Sequence, residues 1–417
     1  LEKDGRKILM GFSGSLDSVV GAYLLKRQGF EVIAVGIVFD PGEEAEIPNR
    51  YDDHGAIIAK SPFQGVFLIK DLDKVKALAE GLGIPFYGVQ ASSLYQDRVT
   101  DFVVASRVGG RSFSPKVAAS RLIFEVLAQK AKVIGAELLA TGHYAKVVRN
   151  KSLDASQVFV SNDLEHDQSY LLASIESDIL DKVHLPLSDM RVKEVAKIAE
   201  SVGLQYIENK GNHTPLMTRP ELSGFVSDRI PKKLVKEGNI IDFKNDSLLG
   251  DHAGIHNYAL GQAGIKTKLG SSLDKSHEVI GFKYAAGIIY VGQREDLRHD
   301  LIVLMNTVYS KGVDLSQPFE VFVKNRERGE KVSATLFPRN NGYAEIQFKE
   351  KREGLVHQGE YLAFYNRSGN MGRVLGGGEV RTCGYLDFGK LRSFPKKKEE
   401  IEEDENRESI DIYNFKF

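Results

Sequence analysis

The chain has 417 residues, 42% of them hydrophobic, enough for two or three ordinary domain cores. Its formal net charge of −1 gives no global attraction to nucleic acid, so any RNA site must be a local basic surface. A single cysteine excludes an intramolecular disulfide framework, a Cys-rich zinc site and an iron–sulfur cluster held by several cysteines of the chain. No stretch reaches the length of a membrane span and LEKDGRK is not a signal peptide, so a cytoplasmic protein without a membrane partner is expected.

Ile8 to Phe12 is an apolar run suited to a buried parallel strand, followed by the small turn Ser13-Gly14-Ser15. Asp17 and Ser18 then open a helix whose apolar period runs through Val19, Val20, Ala22, Leu24 and Leu25. A strand, a tight turn and a helix start make an anion site. The first-turn amides lack intrahelical partners and the helix dipole points its positive end at the loop. The lysine of a Walker-type phosphate loop is missing. Ser-Gly-Ser-x-Asp-Ser instead resembles the pyrophosphate loop of the ATP pyrophosphatases, which split ATP between its α and β phosphates. The plainer reading is a Ser-rich turn in which Asp17 is only a favourable charge at a helix start.

Residues 1–205 alternate strand-like and helix-like segments, the pattern of a doubly wound α/β domain with a parallel sheet covered on both faces. VIAVGIVF (32–39) predicts the second strand, and Pro41 to Gln64 a polar insertion. A helix is expected over 71–81, a strand over 84–91, a helix over 116–132 and a strand over 136–145. Helical periodicity resumes at 167–175 and 191–203. Residues 206–270 are mixed and rich in Gly, Asn and Asp, predicting a small central domain. From 271 to 392, short alternating runs beginning with EVIGFKYAAGIIYVG (278–292) predict an antiparallel β-barrel. The charged tail, 393–417, reads as disorder or a solvated helix.

Several segments are similar, in order, to those of the bacterial tRNA-specific 2-thiouridylases. SGSLDS (13–18) resembles their SGGVDS, ATGHY (140–144) their ATGHY, and DQSYLL (167–172) their KDQSYFL. LPLSDMRVKEVAKIAE (185–200), LGDHAGIHNYALGQ (249–262) and VLGGGEV (374–380) match further segments, leaving only the tail uncovered. The resemblance implies an ATP-pyrophosphatase domain, a central tRNA-binding domain and a C-terminal barrel. It also implies that ATP adenylates O2 of the wobble uridine and that a cysteine persulfide then displaces AMP. Two cysteines carry that second half in the family. Here the first falls at Ala119, between Lys116 and Ser120 where the family has Asp and Asn, and the second falls within 211–216, again without sulfur. An alanine cannot hold a persulfide. The lone Cys383 reads as a small buried barrel residue.

ATP and Mg²⁺ are the expected cofactors and tRNA the expected partner, with a sulfur-donor protein or free sulfide as a further one. Gly11, Phe12, Ser13, Gly14, Ser15, Asp17, Ser18, Val38, Gly142 and His143 are candidates for the nucleotide, and Asp17 for the metal, since a hard cation takes carboxylate and phosphate oxygens. Ser15 stands where the family has Gly, a position at which close backbone approach favours glycine. Asp17, Ser18, Asp167 and Gln168 are the catalytic candidates, the last two to orient base or nucleotide or simply to cap a helix. Arg121 faces either the site or solvent. Lys232, Lys233, Lys236, His252, Tyr258 and Gln262 are the RNA-binding candidates. Basic clusters at Lys324 to Arg328 and Lys349 to Arg352 are either phosphate contacts or solvated faces. His252 and His256 lack the companion glutamate of a zinc helix. The leading reading is an adenylating tRNA-uridine enzyme with sulfur not carried on a protein cysteine. The rivals are a degenerate tRNA-binding protein, and a related enzyme with a different substrate or a non-sulfur nucleophile.

Overall fold

Every residue of the run Ile8–Phe12 is buried, as a strand covered on both faces requires. The computed structural model describes residues 5–38, 50–51, 57–59, 72–208, 219–293, 296, 298–327, 329–353 and 356–382. The chain passes through β1 (Lys7–Gly11), α1 (Leu16–Arg27), β2 (Glu31–Val38) and the short antiparallel pair β3 (Arg50–Tyr51) and β4 (Ile57–Ala59). Next come α2 (Leu72–Gly81), β5 (Phe86–Gln90), α3 (Ser92–Tyr95), α4 (Asp101–Val108), α5 (Pro115–Ile134) and β6 (Leu138–Ala140). Four of these strands form a parallel sheet in the order β5-β2-β1-β6.

The two-residue period of β1 and β2 splits their side chains between two cores. Ile8, Met10 and Phe12 pack with Val19, Ala22 and Leu25 of α1 and with Val75 and Ala79 of α2. Leu9, Ile33, Val35 and Ile37 face the other way, into a core built on Ile123, Phe124 and Leu127 of α5. The hairpin β7 (Lys146–Asn150) and β8 (Ala155–Phe159) follows, then α6 (Ser177–Leu180), α7 (Val192–Ser201) and α8 (Arg219–Arg229). The helix expected at 167–175 is only a 3₁₀ turn, Ser169–Leu172, and α4 and the hairpin add to the expected elements. Most of the insertion at 41–64 lies outside the described residues, as does the charged tail.

A separate mixed sheet contains β9 (Gly238–Asp242), β10 (Leu248–His252), β11 (Glu278–Lys283) and β12 (Ile288–Gly292), ordered β10-β9-β12-β11. This corrects the assignment of 278–292 to the barrel: β12 runs parallel to β9, and β11 pairs with β12. Alternation identifies a strand but not its partner. The barrel proper is β13 (Arg298–Tyr309), β14 (Phe319–Lys324), β15 (Val332–Pro338), β16 (Ala344–Glu353), β17 (Tyr361–Tyr365) and β18 (Val374–Thr382). All its pairings are antiparallel, and β13 meets both β16 and β18 to close it.

Strand β17 belongs to two cores. Leu362 and Phe364 fill the barrel, whereas Tyr361, Ala363 and Tyr365 pack into the core of the parallel-sheet domain. Polar groups reinforce that seam. The Tyr361 hydroxyl donates to the Ala173 carbonyl at 3.0 Å, its amide donates to Ser114 Oγ at 2.9 Å, and the Tyr170 hydroxyl lies 3.0 Å from the Tyr361 carbonyl. Tyr361→Phe should therefore destabilise the whole protein by about 1–2 kcal/mol, because a buried carbonyl loses its donor. Urea denaturation checks this, and an unchanged midpoint would show that the seam does not depend on that bond.

Candidate nucleotide site

From β1 the chain turns through α1 to β2 on one side, while β6 lies on the other side of β1. That reversal opens a crevice at the carboxyl ends of β1 and β6, where open α/β sheets take their ligands. Two turns meet there, residues 12–15 after β1 and residues 141–144 after β6. Their approach is so close that a Cβ on Gly142 would lie 3.0 Å from the Asp17 backbone carbonyl carbon and 3.1 Å from the Ser18 nitrogen.

Within the first turn, Gly14 supplies the left-handed backbone, with φ of 77°. Ser15 has φ of −69° and ψ of 161°, an extended geometry open to any residue, so the serine in place of the family glycine costs nothing here. The Ser13, Ser15 and Ser18 hydroxyls cluster, with Oγ–Oγ distances of 3.0 to 3.4 Å, and Ser18 Oγ donates to the Ser15 carbonyl at 3.0 Å. The Gly14 carbonyl accepts from Ile207 N at 2.8 Å, anchoring the loop to the far end of the domain. Gly11 and Phe12 are buried beneath the turn, and half-buried Val38 ends β2 on the same sheet edge.

Asp17 is the one carboxylate among residues 11–18. The Tyr144 hydroxyl donates to its Oδ1 at 2.6 Å. Burial holds the Asp17 carboxyl above its ordinary range, while the Tyr144 bond and the nearby His166 pull it down. Tyr144 is itself clamped: its amide donates to Gln168 Oε1 at 2.9 Å and its carbonyl accepts from Gln168 N at 2.8 Å. His143 is buried, with Nδ1 2.8 Å from Thr141 Oγ1 and its ring 5.7 Å from that of Phe124. Burial lowers its pKa to about 4, so it is neutral and braces the turn instead of offering charge to a phosphate.

Asp167, a catalytic candidate on sequence, has its carboxylate taken up inside the fold. It accepts from Ser161 N at 3.0 Å, Ser169 N at 3.2 Å, Ser169 Oγ at 2.8 Å and Lys324 Nζ at 3.3 Å. That also removes Lys324 from the solvated basic clusters. Arg121 pairs with Glu125 and Glu176 on the surface of α5. The functional group that sequence reasoning misses is the Tyr144 hydroxyl on Asp17; its signal lies in the ATGHY match, where the histidine is the more conspicuous residue.

Three RNA-binding candidates have polar groups engaged within the fold. His252 is fully buried, its Nε2 3.0 Å from the Gly287 carbonyl and its Nδ1 3.2 Å from Gly254 N, and burial lowers its pKa. Tyr258 is buried and donates to the Lys266 carbonyl at 2.6 Å, and the Gln262 side chain accepts from Ala259 N at 3.0 Å. They look like ligand-binding residues in sequence because a tight junction needs the same polar types. Lys232 and Lys233 are exposed on a 3₁₀ turn, and Lys236 lies half-buried with its ammonium 5.9 Å from the Tyr284 ring. Ala119 is buried in α5, and Lys116 pairs with Glu327 of the barrel domain at 2.6 Å. Residues 211–216 and Cys383 lie outside the described residues.

A doubly wound sheet with a Ser/Gly loop and a carboxylate in the first turn of the following helix, at its switch point, defines a protein of the pyrophosphate-loop class. Three family models match in order: a tRNA methyl transferase HUP domain over 6–215, a tRNA methyl transferase PRC-barrel domain over 223–293 and an aminomethyltransferase β-barrel domain over 299–380. The chain belongs to the family of the tRNA-specific 2-thiouridylases. It is 27% identical over 378 residues to tRNA-specific 2-thiouridylase MnmA of Clostridium acetobutylicum, covering 90% of this chain and 99% of that one. It is 29% identical over 380 residues to its counterpart in Clostridium perfringens, with the same coverage. Among solved structures, U34-tRNA thiolase NcsA of Methanococcus maripaludis shares 18% identity at a TM-score of 0.32, covering 54% of this chain and 65% of that one.

Tyr144→Phe removes a bond that favours the charged form of Asp17, so Asp17 should titrate at higher pH in the variant than in the native protein. Carboxyl NMR titration reads this directly. A carboxyl pKa that stays put or falls would show that the hydroxyl does not act on it.

Proposed function

We propose that this chain is an ATP-dependent enzyme that adenylates the C2 carbonyl oxygen of a tRNA uridine and replaces that oxygen with sulfur. The observation that carries this reading is the meeting of the 13–18 loop with the Gly142–Tyr144 turn at the switch point of the sheet. First-turn amides of α1 and the Ser13 and Ser15 hydroxyls suit a pyrophosphate. The family models' descriptions speak of methyl transfer, but a phosphate loop of this kind serves ATP cleavage.

Among the described residues no group of three or more His, Cys, Asp and Glu side chains is placed to hold a metal unaided. A single half-buried carboxylate fits a divalent ion that arrives with the nucleotide, and Asp17 would hold it together with phosphate oxygens. Such an ion, when bound, offsets charge on the phosphates. In the first step the uridine O2 attacks the α phosphorus, the α–β bridge breaks and pyrophosphate leaves. In the second, hydrosulfide attacks C2 and AMP departs with the former carbonyl oxygen. Ala119 cannot carry that sulfur, so it comes from free hydrosulfide or from a donor protein.

Asp17→Ala should lower tRNA-dependent pyrophosphate release by roughly 100-fold or more, the scale of losing a charge-stabilising group. The assay uses ATP, Mg²⁺ and unmodified tRNA, with nucleoside mass spectrometry to identify the product. Unchanged turnover would overturn the site assignment, and absence of 2-thiouridine despite adenylation would replace sulfur with another nucleophile.

Exposed Lys232 and Lys233, with Lys236, supply the RNA contact in this reading. Their joint reversal to Glu should weaken tRNA binding across sequences and shrink the log–log salt slope by about 0.9 for each phosphate that is no longer neutralised. ATP binding should not change. Anisotropy titrations at several salt concentrations test it, and an unaltered slope would place the tRNA elsewhere.

A further inference from the structure

We propose that the β-barrel supplies positioning residues for the nucleotide loop: Lys324 and Tyr365 hold Gln168, which through Tyr144 sets the Asp17 carboxylate. The proposal rests on the reading of the 13–18 loop as the nucleotide site. Gln168 is the clamp on Tyr144, making both of that residue's backbone bonds, at 2.8 and 2.9 Å. Each chain neighbour of Gln168 is tied to the barrel. On one side, Asp167 accepts from Lys324 Nζ at 3.3 Å, with side chains only 3% and 5% exposed. On the other, the Ser169 hydroxyl lies 3.1 Å from the Tyr365 hydroxyl. Tyr144 then passes the constraint on through its 2.6 Å bond to Asp17.

Stability alone gives a poor account of this arrangement. Burying a lysine and a carboxylate together contributes little net stability compared with apolar residues of the same size. A buried ion pair does fix geometry, because breaking its orientation strands a charge away from water. Lys331 adds to the same corner, its ammonium 4.1 Å from the centre of the Tyr365 ring, and keeps positive charge near Asp167 when Lys324 is replaced. The consequence of replacing Lys324 is thus chiefly lost direction at Asp167. The coupling runs through contiguous packed and hydrogen-bonded groups, a physical route between two domains.

The test is peptide-level amide hydrogen exchange on the full chain without nucleotide. In Lys324→Met, the 13–18 and 141–145 segments should exchange about tenfold faster, while α2 and α7 keep native rates. Lys324→Arg should restore slow exchange. The half-saturating ATP concentration for pyrophosphate release should rise in the Met variant more than kcat falls. Faster exchange confined to 161–169 and the barrel strands, with native rates at 13–18, overturns the proposal. If Lys324→Met does not fold, Tyr365→Phe, which removes only the hydroxyl facing Ser169, carries the same test with a smaller shift in the same direction. Exchange needs no turnover, so a deprotected loop in a protein that never cleaves ATP would uphold the positioning and overturn the nucleotide reading instead.

Discussion

An ammonium group and a carboxylate, both almost removed from water, stand where the parallel-sheet domain meets the barrel. Burying either alone costs on the order of several kcal/mol, and pairing Lys324 with Asp167 offsets much of that cost. Asp167 is satisfied by three further donors from Ser161 and Ser169, which fixes the path of the chain from β8 to the 3₁₀ turn. That path delivers Gln168 to Tyr144. The barrel is consequently joined to the core of the domain that holds the loop, and β17, with one face in each core, makes the junction continuous.

At the loop, different demands meet in a small volume. A phosphate site wants donors and positive potential, which the start of α1 provides through backbone geometry. In the proposed role of cation holder Asp17 must be charged, yet burial pushes it toward its neutral form. The Tyr144 hydroxyl moderates that conflict by stabilising the carboxylate while restricting its direction. Gly142 lets the two turns approach closely enough for the bond to form. Neutral His143, packed on Phe124, supports the turn from below without adding charge that would compete for Asp17.

The β1–loop–α1 unit is legible in sequence because its signal is local: an apolar run, a small turn and a helical period, all within one short stretch. The strands of the barrel are legible for the same reason. Partner choice is not, and 278–292 shows why: a period of two fixes which face a side chain takes but not which strand lies beside it. Asp167, His252, Tyr258 and Gln262 show a related limit, since each makes hydrogen bonds inside the fold. A polar residue bound to a ligand and one that satisfies buried backbone groups use the same chemistry, and sequence does not distinguish them. The 151-residue reach from Arg107 to the Tyr258 carbonyl shows that this junction is a packed interface between domains, and no local pattern announces it.

The region around α5 carries the strongest constraint on the chemistry of the second step. Where the resemblance implies a persulfide cysteine, Ala119 is packed into the core, and Lys116 one turn before it is held by Glu327. The barrel domain thus provides the carboxylate that compensates this lysine. Ser114 is likewise committed, accepting from the Tyr361 amide. The start of α5 has thus become part of the seam between barrel and sheet domain. A site that stores sulfur covalently must keep its thiolate accessible to donor and substrate. A buried alanine flanked by interdomain contacts meets neither need, which is the physical reason for the proposal above that sulfur reaches the uridine without a thiol at this position.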